Sequence, residues 1–102
     1  MARNSLKFLG IVFDRDGSDE KFKLLKEHIR RDQEIEGWWH YLNNMYIVKT
    51  SKTTSKLTSE IHDILDDESF LIIEVNTQRS DGWLPPRAWK WFEKHAKEVV
   101  SG

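Results

Sequence analysis

Dense apolar runs alternate along this chain with charged stretches whose few apolar residues recur at helical spacing, and the two patterns mark out its elements. The run Leu6 to Phe13 (LKFLGIVF) is apolar almost throughout, as expected of a central strand covered on both faces. Alternation puts Phe8 and Val12 on one face and Leu9, Ile11 and Phe13 on the other. The residues Asp14-Arg15-Asp16-Gly17-Ser18 are turn formers, and Ser18 is placed to cap a helix whose first turn holds Asp19 and Glu20. Phe22, Leu25 and Ile29, widened by Leu24, predict one buried face for a helix reaching about Gln33, with Gly37 breaking it.

Two strand-like runs, WWHYL (38–42) and MYIVKT (45–50), flank Asn43-Asn44, a pair suited to the positive backbone angles of a tight hairpin. Ser, Thr and Lys residues from Ser51 to Lys56 supply caps for a second helix, in which Leu57, Ile61, Ile64 and Leu65 form a narrow stripe. Asp66-Asp67-Glu68 is its polar exit. FLIIEV (70–75) is a fourth strand, and a polar loop runs from Asn76 to Gly82. Pro85-Pro86 then opens a third helix with Trp89, Phe92, Ala96 and Val99 inward.

The order βαββαβ plus a closing helix predicts a ferredoxin-like α+β domain spanning 1–102, with a four-stranded antiparallel sheet and an extra C-terminal helix. Two interstrand helices cover one sheet face, yet the first strand is apolar on both. The second face therefore needs the Trp-rich last helix, a second copy of the chain, or both. Five Trp, five Phe and two Tyr in 102 residues are a heavy load for one small core, and they favour a homodimer. Trp38 or Trp39 is expected to pack against the Trp83 to Trp89 segment.

Composition narrows the chemistry. Without Cys there is no disulfide framework, thiolate metal site or Cys nucleophile. No apolar run is long enough to span a membrane, and the start lacks a signal-peptide apolar region, so a cytoplasmic protein is expected. Sixteen basic and 17 acidic residues give a net charge of -1, so any attraction for nucleic acid must be local.

Asp14 and Asp16, where the first strand ends, are the best chemical candidates, because two carboxylates at a sheet edge suit Mg²⁺ or Mn²⁺. The competing reading makes both ordinary turn residues. The string IVFDRDGS also mimics a phosphatase nucleophile motif, but that fold needs a parallel sheet, and the second and third strands lie too close for a crossover. Gly17 stands at the wrong spacing for a calcium-binding loop. His40 is an acid/base or ligand candidate; with no partner adjacent in sequence, a structural imidazole beside Trp and Tyr is the stronger reading. Arg87, Lys90, Lys94 and Lys97 line one face of the last helix with Trp91 at its margin, a stripe suited to tracking a phosphate backbone and stacking a base, or simply a solvated face. Lys49, Lys52 and Lys56 form a second basic concentration.

WWHYL, the strand ending IVKT, the Ser/Thr/Lys-rich helix start, FLIIEV and GWLPPRAWKWF together resemble the SinR-like branch of the small CRISPR-associated Cas-two and VapD-like proteins. The resemblance implies a ferredoxin-like homodimer acting on or with RNA or DNA in phage defence or a toxin–antitoxin system. In nuclease members an Asp at the end of the first strand, here Asp14, is paired across the dimer to hold a divalent metal for phosphodiester cleavage. Other members are non-catalytic scaffolds. A protein-interaction module using the same dimer and Trp-rich surface is accordingly the second function class.

Overall fold

The computed structural model describes residues 5–14 and 19–99. Its elements are β1 (Lys7–Phe13), α1 (Asp19–Arg31), β2 (Ile35–Leu42), β3 (Met45–Thr50), α2 (Thr54–Leu65), β4 (Phe70–Val75), a short 3₁₀ turn (Thr77–Arg79) and α3 (Pro86–Ala96). The strands form one sheet in the order β2-β3-β1-β4 with every pairing antiparallel, which is the ferredoxin-like layout expected. A parallel phosphatase sheet is thereby excluded. No helix among the described residues is long and apolar enough to cross a membrane.

Alternation along β1 divides the apolar residues between two cores. Leu9, Ile11 and Phe13 face α1 and α2, joining Leu25, Ile29, Leu57, Ile61 and Leu65, all buried. Phe8 lies on the opposite face with Trp39, Ile47, Ala88 and Phe92, beneath α3. The last helix therefore covers part of the second face. Its packing is aromatic: Phe92 stacks on Trp39 with centroids 5.6 Å apart, and Trp91 lies 5.5 Å from Phe8. Burying each large apolar side chain removes its surface from water and contributes roughly 1.5–3 kcal/mol.

Several local expectations are corrected. α1 stops at Arg31 instead of Gln33, and Gly37 lies inside β2 instead of ending a helix. The chain leaves α1 through Asp32, whose carboxylate accepts from the Glu34 amide at 2.9 Å, and Ile35 is already paired with Thr50. Register slips by one residue between Ile35 and Gly37 and again between Trp39 and Leu42. The first bulge reverses the alternation, so Ile35 serves the α1–α2 core while Trp39 serves the α3 core. Leu24, expected to widen the buried face of α1, is exposed. α3 ends at Ala96, although Val99 still packs on its core from the following turn.

Candidate functional site

The hairpin end of the sheet gathers the features that could meet a partner. β1 ends at Phe13, whose amide donates to the Asn44 carbonyl at 3.0 Å, so Asp14 leaves the sheet beside the β2–β3 turn with its side chain exposed. Asp16 and the expected cap Ser18 lie outside the described residues. Beside Asp14, the second sheet face is open among the described residues. α3 covers the half holding Phe8, Trp39 and Ile47, and beyond it Val12 pairs with both Met45 and Leu71, while Leu42 pairs with Met45. Leu71 is 57% exposed, Leu42 43% and Ile73 39%. Leu71 and Ile73 belong to β4, which among the described residues pairs with β1 alone and so forms an edge of the sheet.

A groove of about 340 Å³ runs from this open face toward α3. Its floor is Trp39, Met45, Ile47 and Ile73; its rim carries Arg79 and Asp81. Gly10 keeps that floor low, for a Cβ there would approach the Met45 Cε to 2.8 Å and the Ile73 and Val75 side chains to 3.3 Å. Trp83, on the loop before α3, is 100% exposed. The expected packing of Trp39 against the Trp83 to Trp89 segment holds through Ala88 and Trp89, not through Trp83.

The stripe on α3 lies outward. Arg87, Lys90 and Lys94 are exposed along the helix, with Lys97 exposed just beyond it, and Trp91 is half-buried against Phe8, Phe92 and His95. His40 stacks on Tyr46 at 4.0 Å, and its Nδ1 lies 3.1 Å from the Met45 carbonyl. Both contacts hold the ring as part of the hairpin.

At the far end of the sheet, roughly 20 Å from Asp14 along β1, a polar cluster escaped the sequence reading. Lys52, 3% exposed, is bonded to both Asp32 at the end of α1 and Glu60 on α2. His28 Nε2 lies 3.3 Å from Glu60 and 3.5 Å from Asp32. Burial works to lower the Lys52 pKa, but the hydrogen bonds and charges of Asp32 and Glu60 outweigh it and raise the pKa. Burial likewise works to raise Asp32, and the Lys52 and Glu34 hydrogen bonds with the Lys52 and His28 charges bring it below the ordinary carboxylate value. The ligand atoms of His28, Asp32 and Glu60 lie close enough together to hold a metal. Lys52 already supplies a cation between the two carboxylates, so the cluster is an ion latch tying α1 and α2 to the end of β3. The only signal in sequence was the spacing of His28 and Asp32, one helical turn apart; Lys52 and Glu60 come from elsewhere.

A second buried amine, Lys49, points under α3. Its Nζ donates to Glu98 at 2.6 Å and lies 3.4 Å from His95 Nδ1. Burial first, then the neighbouring charges of Lys49 and Lys94, hold the His95 pKa below its ordinary value. Gly37 leaves room for this ring, because a Cβ there would come within 3.0 Å of His95.

Of the two carboxylates expected to hold a metal, Asp14 alone falls among the described residues. Comparison with protein-family models, with curated proteins and with solved structures finds no match to this chain.

Proposed function

We propose that this chain works as a homodimer on nucleic acid, in the manner of the small Cas-two and VapD-like proteins that its motifs resemble. One observation carries the reading: the open apolar half of the second sheet face ends beside Asp14. A second copy seated there would cover Leu42, Leu71 and Ile73 and bring the two Asp14 carboxylates toward each other. Two like charges at close range are costly, and a divalent cation relieves the repulsion. The Asp14 pair would hold Mg²⁺ or Mn²⁺, which when bound polarises a phosphoryl oxygen and lowers the pKa of a water. The exposed cations of α3 would hold the phosphate backbone. The test is incubation of the pure protein with labelled RNA and DNA in Mg²⁺, Mn²⁺ or EDTA. Metal-dependent cleavage that disappears in Asp14→Asn supports the reading.

A second reading is favoured by the groove and by Trp83: a non-catalytic module that binds protein through the same dimer. Unchanged substrate with every metal, alongside a stable dimer, would select it.

A further inference from the structure

The groove and the exposed Trp83 lie on the same side of the molecule, and each lacks what the other offers. Asp81 and Leu84 flank Trp83 in sequence and both line the groove, so Trp83 stands at its rim while its own ring is fully exposed. A lone indole in water is the largest apolar surface one residue can leave uncovered, roughly 250 Å². At about 340 Å³ the groove is at the small end of sites that hold organic molecules, and an indole ring is smaller still.

We propose that Trp83 of each chain inserts into this groove on a second copy, so that two reciprocal Trp83 anchors close the homodimer. The inference rests on the dimer reading above and adds the residue that fixes it. In a two-fold assembly the same patch meets itself, so a patch carrying both an anchor and its receptor is self-complementary. The charges agree: Arg79 and Asp81 both line the groove, which lets each meet its opposite across the axis. Area agrees too. One indole supplies about a third of the ~800 Å² each partner gives a standard interface, and Leu42, Leu71 and Ile73 extend the same apolar surface. An aromatic anchor entering a pocket surrounded by weaker contacts is the usual form of an energetic hot spot.

Sedimentation equilibrium across nanomolar to micromolar concentrations tests this with three variants, each confirmed as folded by circular dichroism. Trp83→Ala should weaken dimerisation by more than ~100-fold, since both anchors are lost at once. Ile73→Arg, which fills the groove, should do the same. Mixing the two variants should recover association well above either alone, because the Ile73→Arg chain still donates a Trp83 and the Trp83→Ala chain still offers an open groove. A mixture no tighter than its components overturns the insertion. Leu71→Asp separates the two claims: a dimer broken by Leu71→Asp but unmoved by Trp83→Ala keeps the shared face and overturns the anchor. A parent chain that stays monomeric throughout overturns both.

Discussion

The indole N–H of Trp39 donates to the Ala88 carbonyl at 3.3 Å, joining β2 to the first turn of α3 across 49 residues of sequence. Trp39 also stacks on Phe92, so the bond and the ring together hold the closing helix on the sheet. Trp39→Ala should cost about 3–5 kcal/mol, as large core truncations do. Trp39→Phe keeps most of the packing and removes only the side-chain donor, since the Ala88 carbonyl still accepts within α3, a loss of about 0.5–1.5 kcal/mol. Urea unfolding of both variants checks the order; equal midpoints for parent and Trp39→Ala would show that α3 contributes nothing to the fold.

The ion latch predicts acid lability. The Asp32 pKa is lower in the folded chain than its ordinary value of 3.8, so the unfolded chain binds the proton more readily. Its contribution is therefore complete above that value and is lost as pH falls through the lowered folded one. Urea midpoints between pH 2 and 6 should fall steeply for the parent and less so for Asp32→Asn. At neutral pH, Lys52→Met leaves Asp32 and Glu60 facing each other without their cation, and should cost about 3–5 kcal/mol, less by whatever solvent reaches the partly exposed Glu60.

His95 predicts a different window. Its pKa lies below the ordinary 6.5, so protonation favours the unfolded chain, and stability should decline as pH falls below 6.5 and level off beneath the lowered folded value. Lys49 from β3 and Lys94 oppose the added charge, and Glu98 partly offsets them. Thermal unfolding between pH 5 and 8 should show this slope in the parent and a flatter one in His95→Gln. An unchanged slope would move its origin to another group.

How far the fold could be foreseen differs between elements for physical reasons. β1 was legible because a strand that is apolar on both faces announces two cores, and the apolar face of the last helix was one of the two covers open to the second, of which it covers part. β2 was not. Its bulge at Glu36–Gly37 changes which residues point where, and a bulge leaves no mark on apolar alternation when Ile35, Trp38, Trp39 and Leu42 are all large. The ion latch was hidden for a related reason: Lys52, Asp32, Glu60 and His28 come from three segments, and only the sheet register draws them together. Lys52 was counted with Lys49 and Lys56 as one basic concentration, whereas Lys49 and Lys52 are buried in separate clusters and Lys56 pairs with Glu34 on the surface. Asp14 was placed correctly at a strand end, because a carboxylate after an apolar run has nowhere else to go.

The α3 stripe gives the clearest quantitative test of contact with nucleic acid. If Arg87, Lys90, Lys94 and Lys97 lie along a single strand, each neutralised phosphate releases its condensed counterion, and affinity falls with salt by a slope of about 0.7 per contact. Filter binding of a short labelled RNA at several salt concentrations should then give a slope near 3 for the parent, about four contacts' worth. Lys90→Gln and Lys94→Gln together should reduce the slope by about 1.4 and weaken binding at low salt, without much change in the urea midpoint, because both side chains are exposed. Trp91→Phe provides the second arm. Its ring already packs on Phe8, Phe92 and His95, so a smaller ring should change stability more than affinity if the core claims it. A loss of affinity at unchanged stability would assign its remaining exposed edge to a base, since stacking contributes about 1–3 kcal/mol per base. A parent chain whose binding ignores salt has no phosphate-tracking stripe, and the charges on α3 are then an ordinary solvated face.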